Sequence, residues 1–328
     1  GNIKCLVALT AGNATYEFNN EERSIKAVID QVRFKGHELE GGPGYTKGHN
    51  CNMGLRAGYD CLSGSAGSVS RAKIDVKVTN SDFETFVYAL TLEGTKNGRL
   101  IVGEKNSGNT FSDNDQCGGF WESRHMEIMV EGNTYNIIPF GYGVDMDDAP
   151  WYGILKKEPE TAQTLFCAQN NVFNLNHSEY ALFLRNRWSY FDPQGVPVAY
   201  QIKNNRFNMT DGYEWAILSY YTVGAVIRNN QFSGHGDLAL YLVNYSKNGL
   251  VLGNNFSKAT WETGVAYLTA STKNWTFVGG DLGETATNLG TNNIFTGFNV
   301  SQSEDPLGQT IVDNLQAMKE AMHNLDNQ

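Results

Sequence analysis

A short pattern of apolar and polar positions recurs along the second half of the chain. It is apolar, then two asparagines, then phenylalanine, in Ile202-Lys-Asn-Asn-Arg-Phe207, Ile227-Arg-Asn-Asn-Gln-Phe232 and, with one residue fewer, Leu252-Gly-Asn-Asn-Phe256. This pattern predicts two short strands joined by a tight corner, because asparagine tolerates left-handed backbone conformations. A spacing of about 25 residues is typical of a solenoid, in which each repeat packs only against its neighbours. We expect equivalent asparagines to stack at about 4.8 Å per coil and to bond to one another.

A further strand pattern lies between the asparagine corners and begins at an acidic residue. Its four copies start at Glu179, Glu214, Asp237 and Glu262. Three strands in about 25 residues predict a parallel β-helix. The repeated phrase resembles the right-handed parallel β-helix proteins of the pectate-lyase-like group, most closely from about residue 120 to 300. The resemblance implies an all-β, single-stranded right-handed parallel β-helix. It says less about function, because this fold hosts lyases, hydrolases, epimerases, tailspikes and adhesins.

Interruptions of the pattern predict the domain organisation. We expect one β-helix over 1–304, with insertions at about 36–70, 143–164 and 185–198. The first is rich in glycine, and the second follows from the increase in spacing between corners to 38 residues. Insertions in a solenoid collect on one face, often the binding face. Asp305 and Pro306 favour the start of a helix over 305–328 that caps the end of the stack.

Charge and composition limit the partners. The formal net charge of −10 argues against nucleic acid and against an anionic membrane, although a local basic groove could still bind an acidic polysaccharide. The sequence has no apolar run of about 18 residues that would span a membrane. It starts at Gly1 inside a strand pattern, so we expect an extracellular or cell-surface protein whose secretion signal lies outside this sequence. Among the cysteines, Cys117 and Cys167 are expected in the core, and Cys51 and Cys61 lie in one glycine-rich loop where they could pair.

The acidic residues suggest chemistry. Acids at one position of successive coils would form a column about one strand spacing apart, and two such carboxyls could hydrolyse a glycosidic bond. The preceding turns add Asp211 and His235. The candidate catalytic residues are Glu179, Asp211, Glu214, His235 and Asp237. The alternative is a solvated turn that tolerates acids.

Two further groups of residues suggest ligands. Closely spaced oxygen ligands suit calcium, so Asp145, Asp147 and Asp148 are a candidate metal site, with a solvated turn as the alternative. Exposed flat rings beside carboxylates are typical of sugar-binding grooves; packing under the insertions is the alternative. The candidate substrate-binding residues are Trp151, Tyr152, Arg185, Trp188, Trp215 and Trp261.

The sequence therefore predicts a secreted or surface β-helix protein that binds a polysaccharide in a groove along one face. Two roles stay open. One is cleavage of the glycan as a lyase or glycoside hydrolase, and the other is that of a non-catalytic adhesin, tailspike-like or structural module.

Overall fold

The computed structural model describes residues 5–10, 24–37, 53–58, 73–93, 96–121, 124–147, 164–186, 198–279 and 284–303. Within these ranges the chain is all-β, and strands pair in parallel with their equivalents in neighbouring coils. This confirms an all-β, parallel-strand, solenoid-like architecture. The described part of the chain has no helix long and apolar enough to cross a membrane.

The strands, numbered in chain order, form three faces that we call sheets 1, 2 and 3. Sheet 1 contains β2 (Ser24–Asp30), β5 (Lys73–Thr79), β8 (Lys96–Val102), β11 (Arg124–Glu131), β14 (Leu165–Gln169), β17 (Ala199–Lys203), β20 (Val226–Arg228), β22 (Leu250–Leu252), β24 (Thr276–Val278) and β26 (Ile294–Thr296). Sheet 2 contains β3 (Arg33–Lys35), β6 (Asp82–Glu84), β9 (Thr110–Ser112), β12 (Thr134–Ile137), β15 (Val172–Leu175), β18 (Arg206–Met209) and the first parts of β21 (Gln231–Val243) and β23 (Asn255–Leu268).

From β3 to β23, sheet 3 follows sheet 2 in each coil. It contains β1 (Cys5–Thr10), β4 (Met53–Gly58), β7 (Tyr88–Glu93), β10 (Gln116–Trp121), β13 (Tyr142–Asp147), β16 (Tyr180–Arg185), β19 (Trp215–Tyr220), the second parts of β21 and β23, β25 (Thr285–Asn288) and β27 (Asn299–Ser303). Because β21 and β23 run without a break from sheet 2 into sheet 3, these two faces form one network of 17 strands.

The corner between sheets 1 and 2 holds a buried asparagine ladder, as the repeat predicted. Asn205 donates from its backbone N–H and its side-chain amide to Asn230 Oδ1, at 2.9 and 3.0 Å. Asn230 makes the same two bonds to Asn254, both at 2.9 Å. The described ladder consists of Asn109, Asn133, Asn171, Asn205, Asn230 and Asn254. Each amide therefore joins two coils inside the protein, where an unpaired polar group would be costly.

The register corrects the sequence-based alignment of the third repeat. Ile227 pairs with Val251 and Arg228 with Leu252. The third copy therefore begins at Val251 and has no residue missing. Gly253 takes the place of the first asparagine, with φ of 61° against 54° for Asn229.

The aromatic residue that closes each phrase forms a stack inside the coil. Successive rings have centroids 4.5–5.1 Å apart and planes within 23° of parallel. The stack runs through Phe34, Phe83, Phe111, Tyr135, Phe173, Phe207, Phe232 and Phe256. Together with the asparagine ladder it holds the vertical register of sheet 2.

The predicted insertions connect to the coils at the corners of sheet 3. Residues 148–163 and 187–197 lie outside the described ranges, and each follows a strand of sheet 3 and precedes one of sheet 1. The expected insertion at 36–70 contains β4, which pairs with β1 and β7, so this stretch includes a regular coil strand. The expected helix at 305–328 lies outside the described residues.

Candidate functional site

A second apolar cluster, separate from the core, lies on the outer face of sheet 3. Leu182 and Leu184 are fully buried in the core, so Phe183 between them points outward, as alternation along a strand requires. Three outward residues are themselves buried, with exposed fractions of 6–8 %, and others cover them in part. We call this cluster the aromatic face; it consists of Tyr142, Tyr180, Phe183, Trp215, Leu218, Tyr220, Tyr241 and Val243. Such apolar surface outside a core is typical of a binding site.

Two of the predicted catalytic acids lie at the edge of the aromatic face. Glu179 accepts a hydrogen bond from the Tyr142 hydroxyl at 3.3 Å. Asp237 accepts one from Trp215 Nε1 at 2.8 Å. Trp215 belongs to the outer cluster and lies beside an acid. These carboxylates orient the polar ends of rings whose flat surfaces belong to the face.

Burial affects the phenols of the aromatic face. It raises the pKa of Tyr180 well above the ordinary value, and the nearby Asp145 carboxylate adds to this effect. Burial also raises the pKa of Tyr241. Both hydroxyls therefore stay protonated at neutral pH and can donate hydrogen bonds.

A nearly buried ion pair beside the aromatic face involves two residues to which the sequence gave ligand roles. Arg185 donates two hydrogen bonds to Asp145, and its guanidinium lies 4.4 Å from the Phe183 ring centroid. Trp121 Nε1 also donates to Asp145, at 3.1 Å. The Asp145 and Arg185 side chains are only 5 % and 11 % exposed. Each charge is neutralised by the other and is largely shielded from solvent. Asp145 is therefore poorly suited to bind calcium, and Arg185 is poorly suited to attract an anion.

The acidic positions align along the backbone, but their side chains have different roles. Tyr180, Trp215 and Leu238, each next to an acid, are direct partners in successive coils. Glu179 is exposed, whereas Glu214 is fully buried. A continuous column of exposed carboxylates, as the sequence suggested, is therefore not formed.

Glu214 is a structural anchor at the corner between sheets 2 and 3. Its carboxylate accepts backbone N–H groups from His177 at 2.6 Å, Thr210 at 2.8 Å and Asp211 at 3.3 Å. The Thr210 hydroxyl donates to it as well, at 3.1 Å. A buried carboxylate with these donors fixes two neighbouring turns, and it has no open side for a substrate.

Two histidine–carboxylate pairs lie along the same corner. His177 Nδ1 contacts Asp211, and its ring packs between Phe140 at 5.2 Å and Tyr213 at 5.3 Å, measured between centroids. In the next coils His235 Nε2 contacts Glu262 at 3.0 Å. The predicted residues Asp211 and His235 therefore share a corner.

Glu262 and its neighbour Trp261 depart from the regular coil. A register shift between β21 and β23 places one extra residue in β23 between Trp261 and Gly264. Trp261 packs against the core, near Phe232 and Phe256 at centroid distances of 6.1 and 6.4 Å. The expectation that Trp261 faces a groove is wrong, because the bulge turns it inward.

Several predicted ligands cannot be placed. Trp151, Tyr152, Trp188, Asp148 and the side chain of Asp147 lie outside the described residues. Within the described ranges no group of three or more His, Cys, Asp or Glu side chains is arranged to hold a metal ion.

The main members of the aromatic face were missed from the sequence. Tyr142, Tyr180, Phe183 and Tyr241 occupy outward positions of three coils. The sequence did contain a signal for them: in successive copies of the sheet 3 strand, aromatic residues occupy the positions that alternate with the core leucines. Comparison of the chain with protein-family models, curated proteins and solved structures found no match.

Proposed function

We propose that the chain is a secreted or surface-exposed right-handed parallel β-helix, of the pectate-lyase-like kind, that binds a polysaccharide on the outer face of sheet 3. The single observation that carries this proposal is the aromatic face. A solenoid presents its faces as long, repetitive surfaces, which suit a polymer with a short repeat. The proposed location follows from the ligand, since long glycans occur mainly outside cells and on their surfaces.

The chemistry of the aromatic face supports a sugar more than a protein partner. Rings pack on the apolar faces of sugars, and hydroxyl, indole and carboxylate groups at ring edges bond sugar hydroxyls. The face has both kinds of group in Tyr142 with Glu179 and in Trp215 with Asp237. Each such pair places a polar group beside a flat apolar surface.

The carboxylates favour binding over cleavage at this face. Hydrolysis needs two carboxyls on opposite sides of the bond, one to donate a proton and one to attack or activate water. Asp145 is bound by Arg185 and Trp121, and Glu214 is enclosed by backbone N–H groups. Neither carboxylate is open to a glycan. Glu179 and Asp237 are accessible, but both lie at the same edge of the face, where each accepts a hydrogen bond from a ring, and not on opposite sides of it. We therefore propose a non-catalytic binding module.

Cleavage is the second candidate, and a different observation favours it. His177 with Asp211 and His235 with Glu262 are histidine–carboxylate pairs on an exposed corner, and a histidine held by a carboxylate is a common general base. An active site there would lie at the corner between sheets 2 and 3, beside the N-terminal ends of the sheet 3 strands.

A glycan panel tests both candidates. The protein is run through gels that contain different soluble polysaccharides, and each mixture is assayed for new reducing ends and unsaturated ends. We expect retardation by at least one glycan and no new ends. Retardation without new ends supports a binding module, whereas new ends favour the enzyme. If no glycan retards the protein, the proposed polysaccharide binding is wrong.

Variants at Trp215 locate the site. Trp215→Ala removes the ring, and we expect it to weaken binding by about tenfold, as for an aromatic residue at the centre of an interface. Trp215→Phe keeps a ring but loses the bond to Asp237, so it should weaken binding less. Val28→Ala, at a residue of sheet 1 that is 74 % exposed, is the control and should bind as the parent does.

A further inference from the structure

Six rings form a continuous oblique path across the outer face of sheet 3. Each contacts the next, with centroids 4.5–6.2 Å apart. The path runs through Tyr142, Tyr180, Phe183, Tyr220, Tyr221 and Tyr245. Tyr180 is buried and supports its neighbours, and the other five rings are at least partly exposed. It starts where β13 begins and ends beyond β21, so it descends three coils while it crosses the sheet from one corner to the other. The path therefore covers three coil spacings of about 4.8 Å as well as the length of a strand, which suits a polymer more than a single sugar.

The end of this path is a tyrosine pair at the corner between sheets 3 and 1. Tyr221 and Tyr245 stack with their planes 12° apart, and Tyr245 is 57 % exposed. Their backbones are left-handed, with φ of 58° and 63°. A bulky side chain is rare in this conformation, where glycine fits without cost. Such strain is most often retained where it positions a functional group.

The backbone on either side fixes the tyrosine pair. The Tyr221 N–H donates to the Asn244 carbonyl at 3.1 Å, and the Tyr245 N–H donates to Ser271 Oγ at 3.1 Å. Both turns are thereby tied to the next coil. The two rings form a prepared flat surface beside the aromatic face, and little order would be lost when a ligand binds to it.

The charge of the face indicates the kind of glycan. From β7 to the second part of β23, the sheet 3 strands contain one basic residue, Arg185, and it is paired with Asp145. Glu179 and Asp237 lie at the edge of the same surface. A uronate chain would carry a carboxylate on each sugar, and these would be repelled by the face. A neutral chain has no such penalty.

We infer that the aromatic face binds a neutral polysaccharide that lies obliquely along the six-ring path, with one sugar on the Tyr221–Tyr245 pair. This inference rests on the proposed function and adds the substrate class and the position of the chain. Two lysines could support the opposite specificity. The backbones of Lys247 and Lys273 are paired by an isolated parallel β-bridge at the same corner, so both lysines lie close to Tyr245.

Matched pairs of polymers test the substrate class. The probes are polygalacturonate and its methyl ester, alginate and its propylene glycol ester, and carboxymethyl cellulose and hydroxyethyl cellulose. We expect at least one uncharged member to retard the protein, and its charged partner to bind at least about tenfold more weakly at low salt. Binding confined to charged members, weakened by Lys247→Gln with Lys273→Gln, would overturn the neutral class and leave the proposed function intact. Failure to bind any member, or any neutral glycan of the wider panel, would overturn both.

Tyr245→Gly tests the path. Glycine keeps the left-handed backbone and removes the ring, so the fold is retained and binding should fall by about tenfold. Val28→Ala in sheet 1 is the control, and the melting temperature of each variant confirms folding. If Tyr245→Gly binds as the parent does while Trp215→Ala does not, the path is wrong although the aromatic face binds the glycan.

Discussion

Arg185 and Asp145, 40 residues apart in the chain, form a nearly buried ion pair between neighbouring coils of sheet 3. The pair lies beside the aromatic face: Arg185 contacts the Phe183 ring, and Asp145 accepts a hydrogen bond from Trp121. Two charges at this depth depend on each other, because either alone would be a desolvated ion without its counter-charge.

Arg185→Met should therefore destabilise the protein. It leaves the Asp145 carboxylate buried without its cation, and we expect the free energy of unfolding in urea to fall by about 3 kcal/mol or more. Adding Asp145→Asn removes the orphaned charge and should recover part of this loss. Arg33→Met, which breaks an exposed ion pair with Glu84, is the control and should have a smaller effect. A double variant as unstable as Arg185→Met alone would contradict this account.

Asn205 tests the asparagine ladder. Its amide donates to the Ala168 carbonyl at 2.9 Å and to Asn230 at 3.0 Å, and it accepts from Asn171. Asn205→Ala leaves several buried groups unpaired and should cost about 2–4 kcal/mol in urea unfolding. Asn208 in sheet 2 donates to Asn174 at 2.8 Å and accepts from Ser233, through bonds that are partly open to water, so Asn208→Ala should cost about 1 kcal/mol or less. If both variants lose the same free energy of unfolding, burial of the asparagine ladder adds nothing to the stability that its hydrogen bonds provide.

The sequence predicted the fold through its repeats and the site only in part. Asn205 and Phe207 recur because one backbone corner and one core position must be rebuilt in every coil, so they could be read without a structure. Trp261 was misplaced because one extra residue in β23 reverses which way it faces, and no local signal marks that bulge. Glu214 was misread because a buried anchor and an exposed acid occupy the same position in the pattern.

Cysteine labelling tests the core. Burial raises the pKa of the Cys117 thiol, and burial also raises that of Cys167. Since the thiolate is the reactive form, both should resist alkylation at neutral pH in the native protein and react rapidly after unfolding. Mass spectrometry of the labelled peptides reads each site separately. Labelling of native Cys117 as fast as in the unfolded chain would contradict its burial.

Acid should weaken the first coils through Glu84. Hydrogen bonds from Arg33 and then Lys35 hold the pKa of Glu84 below its ordinary value of 4.5. A lowered pKa in the folded state means that the contribution to stability is present above the unfolded value and is lost as pH falls through the folded value. Glu84→Gln lacks this contribution. The difference in free energy of unfolding between the parent and this variant should therefore become smaller as pH falls below about 4.5. A gap that stays constant between about pH 6 and pH 3 would exclude the mechanism.

The unbroken path of β21 and β23 from sheet 2 into sheet 3 has an evolutionary consequence. Where a strand runs straight through a corner, no loop can be lengthened without breaking the strand. The corner between sheets 3 and 1 has connections of very different length. The asparagine ladder fixes the position of each coil on the next, whatever the length of that connection. New specificities can therefore arise by exchanging segments at the rim of the aromatic face, without rebuilding the scaffold that carries it.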